Sequence, residues 1–136
     1  MLDMILLAAK IALPSYSEGS PKKNFLFGGI GFRTDGVKVY AKNGAVMSTQ
    51  VDNYLLIPSS HCEWRLANKL DRGAVIYLAR ISKKDHSLVM ARPCGMCAIK
   101  LRSVKVERVY YSIDPEHYGI FFPMNNDDKE RIICCR

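Results

Sequence analysis

Residues 74–81 read Ala74-Val75-Ile76-Tyr77-Leu78-Ala79-Arg80-Ile81, and the reading of this run decides the fold. It is almost continuously apolar and rich in branched side chains. A strand with one wet face alternates apolar and polar residues, whereas a nearly unbroken apolar run suits a central strand covered on both faces. A sheet with such a strand at its centre needs a layer packed on each side of it.

Working outward, Lys83 to Ser87 turns the chain, Leu88 to Ala91 returns it, and a helix is expected from Cys94 to about Ser103, with Ile99 and Leu101 available for packing. Val106 to Ile113 reads as another strand, Asp114-Pro115-Glu116-His117 as a turn, and Tyr118 to Phe122 as a last strand before a charged tail. Upstream, Ser60 sits where a cap would open a helix from about His61 to Leu70, with Glu63, Leu66, Ala67 and Leu70 on one face and Arg65, Asn68, Lys69 and Arg72 on the other. Met47 to Pro58 reads as an irregular approach. Phe25 to Phe32 and Val37 to Ala41, joined by Thr34-Asp35-Gly36, read as a hairpin. Gly28-Gly29-Ile30-Gly31 leads into a strand and opens no helix, so it lacks the context of a phosphate loop. Pro14 to Lys23 is a loop, and Leu2, Ile5, Leu6, Ala9 and Leu13 recur at the spacing of an amphipathic first helix. The order strand, helix, strand, helix, strand predicts one three-layer α/β/α domain over residues 1–136, with a mixed sheet of about five strands.

The chain has 136 residues, 49% of them hydrophobic, enough for one core. Asp3 and Lys10 interrupt the apolar start, which argues against a signal peptide, and no stretch has the length and apolarity of a membrane span. A net charge of +7 points to an anionic substrate or partner without naming it, because the basic residues are scattered. Five cysteines suit a metal site in reducing surroundings better than a disulfide framework, so the expected compartment is the cytoplasm.

Two motifs carry the chemistry: Ser60-His61-Cys62-Glu63 and Pro93-Cys94-Gly95-Met96-Cys97. Each is ambiguous by itself. Ser60 and Glu63 fit a helix capping box, and Cys-x-x-Cys serves redox pairs and halves of structural zinc sites. A structural site normally takes four protein ligands, and this chain offers few further donors. Cys62 lies between His61 and Glu63, Cys134 and Cys135 lie at the extreme end, and His86 and His117 fall in turns. Three ligands, His61, Cys94 and Cys97, with a fourth position open to water is the simpler count for Zn2+, and Glu63 stands two residues from the histidine.

The spacing His-x-Glu followed by Pro-Cys-x-x-Cys is the signature of the zinc nucleobase deaminases, and from Phe25 to Phe122 the chain resembles the cytidine deaminase superfamily. The resemblance implies the cytidine deaminase-like fold, zinc held by His61, Cys94 and Cys97, a zinc-bound hydroxide as nucleophile, and Glu63 as the catalytic proton shuttle that turns cytosine into uracil with release of ammonia. It also implies substrate contacts. The backbone at Cys62 would face the pyrimidine, where relatives commonly have alanine. Asn43 falls where relatives often contact the sugar, although Asn43-Gly44 is also an ordinary turn dipeptide. Arg92, beside the site, could hold a phosphate or form a salt bridge. Pro-Cys-Gly-Met-Cys and the short link from Asp114 to His117 are similar to the free-nucleoside branch, so the expected substrates are free cytidine, deoxycytidine or their monophosphates. The alternative is single-stranded DNA or RNA, bound on basic residues and on aromatics such as Trp64. Relatives of this size associate, and the first helix with Phe121-Phe122 offers apolar surface for a homo-oligomer.

Overall fold

The structure, a computed structural model, describes residues 2–12, 25–42, 49–51, 55–57, 61–124 and 131–134. The elements in chain order are α1 (Leu2–Ala12), β1 (Phe25–Phe32), β2 (Lys38–Lys42), β3 (Thr49–Val51), β4 (Leu55–Ile57), α2 (Cys62–Ala67), β5 (Val75–Ser82), β6 (Leu88–Val89), α3 (Gly95–Val104), β7 (Arg108–Asp114), β8 (His117–Phe121) and β9 (Arg131–Cys134).

The main sheet runs β2-β1-β5-β7-β8-β9, with the short β6 paired to β5. Among the described residues only β5 and β7 pair in parallel, Val75 opposite Arg108 through Leu78 opposite Tyr111; the other pairs are antiparallel. Parallel neighbours need a crossover, and α3 supplies it, so its N-terminus lies at the carboxyl end of β5. The expected three-layer α/β fold with a mixed sheet is the one observed.

Alternation along the two central strands explains the layers. Ile76 and Leu78 of β5 and Phe27 of β1 pack with Cys62 and Leu66 of α2 and Leu101 of α3, whereas Ala79 and Ile30 pack with Ile5 and Ala8 of α1. Ala12, Leu26 and Ile81 extend the second layer. The helices come close because β1 lacks side chains where they cross it. A Cβ on Gly28 would meet the Ala8 carbonyl oxygen and lie 2.7 Å from the Ala12 nitrogen; one on Gly29 would lie 2.8 Å from Leu78 Cδ2 and 2.9 Å from Cys62 Sγ.

Several expected boundaries are corrected. Among the described residues the sheet has seven strands where about five were expected, because β6 is a strand and the chain beyond Phe122 includes β9, paired with β8 from His117 opposite Cys134 to Ile120 opposite Arg131. The approach read as irregular contains the β3–β4 hairpin. The buried stripe of α1 is Ile5, Ala8 and Ala12, and Leu6 is 45% exposed. The first residue of the site helix is Cys62 and its N-cap is His61, whereas Ser60, expected as the cap, lies outside the described residues.

Gly28→Ala places a methyl group against backbone of α1, which cannot rotate away as a side chain can. Urea unfolding should show a loss of about 1–3 kcal/mol; an unchanged midpoint would contradict the packing described.

Candidate metal centre

Two short stretches meet at the carboxyl end of β5. His61 is the N-cap of α2, with extended backbone (φ −67°, ψ 141°), and Cys94 is the N-cap of α3 (φ −67°, ψ 167°); neither side chain caps its helix. Both side chains are therefore available to a ligand, while their carbonyls start the helices through bonds from Arg65 N (3.0 Å) and Ala98 N (2.8 Å). Cys97 lies one turn into α3 and is fully buried.

The three donors converge. His61 Nδ1 lies 3.7 Å from Cys94 Sγ and 3.6 Å from Cys97 Sγ, and all three ligand atoms fall within 4.8 Å of one another. A tetrahedral zinc ion, with Zn–S about 2.3 Å and Zn–N about 2.0–2.1 Å, sets its nitrogen and sulfur ligands about 3.6 Å apart. The residues fit zinc in donor chemistry and in spacing, and three of them leave one tetrahedral position for a non-protein ligand. Among the described residues this is the one His/Cys/Asp/Glu group so arranged.

Burial governs the electrostatics. It lowers the His61 pKa, with a smaller push from the Arg80 charge, so the imidazole stays neutral and able to coordinate. The Cys97 thiol is raised, first by burial, then by the Glu63 charge and by Cys94; a bound cation opposes both effects and favours the thiolate. Glu63 is 3% exposed, and burial pushes its carboxyl up to about 7 against the lowering effects of its own backbone N–H and of Arg80. Cys62 is held as a thiol by burial, then by Glu63, and its Sγ–H donates to the Ala41 carbonyl oxygen at 3.3 Å.

Arg80 escaped the sequence reading. It lies in the apolar run of β5, in alternation with Ile76 and Leu78 on the α2–α3 face, and its Nη1 reaches the Met90 carbonyl oxygen at 3.5 Å. A lone arginine at an inward-facing position of a central strand was the available signal, because a charge there has to face a polar site.

The other candidates are dispersed. Asn43 lies outside the described residues, as does Cys135, while Cys134 falls in β9. Arg92 is exposed and lines a groove with Pro93, Gly95, Ala98, Ile99, Arg102 and Phe121, on a flank of α3 different from that carrying Cys97. His117 pairs with Asp114 at 2.9 Å, and His86 is an exposed turn residue with φ 59°. Tyr110, Tyr111 and Phe121 are buried, whereas Trp64 is half-buried with Lys100 Nζ 5.1 Å from its ring centroid, a contact that joins α2 to α3. Among the described residues no helix is long and apolar enough to cross a membrane.

No protein-family model and no curated protein matches the chain. Among solved structures, a crystal structure of cytidine deaminase from Burkholderia pseudomallei aligns over 95% of this chain and 91% of its own, with a TM-score of 0.46 and 14% sequence identity.

Metal analysis of protein loaded with zinc and freed of excess metal should find one zinc per chain. Cys97→Ala should abolish this, because two remaining ligands do not hold the ion through a chelator wash, and Glu63→Gln should retain it. Zinc persisting in Cys97→Ala would show that other residues bind the metal.

Proposed function

We propose that this chain is a zinc-dependent hydrolytic deaminase that converts cytosine to uracil in free cytidine, deoxycytidine or their monophosphates. The observation that carries the reading is Glu63: an almost fully buried carboxyl, two residues from His61 and close enough to act electrostatically on Cys97. A purely structural site of His61, Cys94 and Cys97 has no use for such a group.

Zinc, when bound, supplies Lewis acidity that brings the pKa of a water from about 15.7 towards 7. Everything else is assigned to the chain. A carboxyl whose charged form is disfavoured by burial can take a proton and return it within the same site. Glu63 accepts one proton of the attacking water and delivers it to the pyrimidine ring nitrogen, then takes the second proton from the hydroxyl now bonded to the ring carbon and delivers it to the departing amine, so water and cytosine become uracil and ammonia. Glu63 is buried, which keeps bulk water from competing for those protons. The backbone at Cys62 and the side chains of Asn43 and Arg92 are assigned to the pyrimidine, the sugar and a phosphate. The antiparallel β7–β8 hairpin, closed by a short turn, supports a monomeric substrate, since it adds little chain from which to build a long groove. A homo-oligomer is part of the proposal, supported by the exposed Leu6 and Leu7 of α1.

One observation favours a second reading, deamination within single-stranded DNA or RNA. The groove beside the Cys94 turn is lined by Arg92 and Arg102 together with Ile99 and Phe121, a combination of charge and apolar surface that suits a polynucleotide.

Glu63→Gln should lower the rate of uracil formation by about 10²–10⁴-fold with zinc retained. A rate near that of the wild type would leave Glu63 a structural carboxyl. Chromatographic assay of cytidine, dCMP and a cytosine-containing oligonucleotide should show turnover of the small substrates first; activity confined to the oligonucleotide would select the second reading.

A further inference from the structure

Helix α2 carries His61 at its start and Glu63 in its first turn, yet it is only six residues long and lacks a side-chain cap. A helix this short does not hold itself in place. Its sequence puts Arg65 and Lys69 on the face opposite Leu66, where they read as solvent-facing charges. In the structure both turn to the sheet. Arg65 Nη1 donates to the Lys42 carbonyl oxygen at 3.0 Å, and Lys69 Nζ donates to the Tyr40 carbonyl oxygen at 2.7 Å.

Tyr40 and Lys42 are two residues apart, so their carbonyls point to the same edge of β2, and β2 is the end strand of the sheet. An end strand has one row of carbonyls turned away from its neighbouring strand, within reach of side chains. Arg65 and Lys69 fill two of them, and the Cys62 thiol adds its bond to the intervening Ala41. The far end of the helix is tied back as well. Arg33 Nη1 donates to the Lys69 carbonyl oxygen at 3.0 Å, and the Thr34 backbone N–H donates to the Asp71 carboxylate at 3.1 Å. Residues 62–71 are thus clipped along β2 and the β1–β2 turn.

We propose that Arg65 and Lys69 are positioning residues for the metal centre, setting where His61 presents its nitrogen to Cys94 and Cys97 by gripping the carbonyls of β2. Sub-ångström displacement of one ligand weakens a three-ligand site, and outer interactions that orient a ligand commonly change metal affinity by about 10–100-fold. The same clip fixes the end of β2 at Lys42, the residue before Asn43. The inference rests on the metal centre and is independent of the deaminase reading.

The test is a zinc competition titration against a chromophoric chelator, on the full chain, for Arg65→Met, Lys69→Met and the double variant. Methionine keeps a long apolar stem and removes the donor. The double variant should bind zinc at least about 10-fold more weakly than wild type, and Arg65→Lys and Lys69→Arg, which keep a donor within reach, should restore the wild-type constant. Thermal melts run beside the titration separate a loss of stability, which would lower the midpoint and leave the zinc constant alone. A double variant binding zinc as tightly as wild type overturns the proposal, as does a loss that the donor-keeping variants fail to restore. Should the double variant not fold, the single variants read the same constant and decide in the same way. Zinc affinity can be measured whether or not cytosine is deaminated, so failure of the deaminase reading would leave this test standing.

Discussion

Contact of two helices with opposite faces of β1 is the constraint on which the rest of the structure depends. Gly28 lets the backbone of α1 approach one face, and Gly29 admits Cys62, Leu66 and Leu78 on the other. A side chain on Gly29 would push α2 away from the sheet, and His61 with it, while the cysteines stayed on α3. The site is in this sense a consequence of missing atoms on a strand whose residues never touch the metal. The loss of side chains is offset by burial of apolar area on both faces.

Burial also sets the chemical character of the site. Glu63, Cys97 and Cys62 all have raised pKa values for the same leading reason, removal from water. Arg80 is the nearby positive charge whose influence reaches Glu63 and His61, and its own pKa is lowered by the same burial. Groups held neutral by desolvation respond strongly to one added charge, because little solvent screens it.

The architecture was largely legible because it rests on patterns local in sequence. The unbroken apolar run of β5, the hairpin spacing of β1 and β2, and the sequence separation of His61 from the Cys-x-x-Cys pair all survive folding unchanged. Features that depend on distant partners were not legible. The strand β9 follows a charged stretch and exists by pairing with β8. Ser60 satisfied the capping pattern, yet the helix begins one residue later, at Cys62, with His61 as N-cap. Arg65 and Lys69 looked like ordinary surface cations, since helical periodicity shows which way a side chain points but not that the end strand β2 stands beside it. Asn43 lies outside the described residues.

Ser112 sits where β5 and β7 stop pairing and the chain leading to Cys94 runs between them. Its hydroxyl accepts the Arg80 amide at 3.1 Å and donates to the Val89 carbonyl at 2.7 Å, and its own carbonyl accepts the Ala91 amide at 2.8 Å. One fully buried residue therefore joins three segments. In the vocabulary of hydrogen exchange, amides that share one buried anchor are expected to open as one cooperative unit. The strand end that bears Arg80 and the segment that presents Cys94 are then protected, and exposed to solvent deuterium, together.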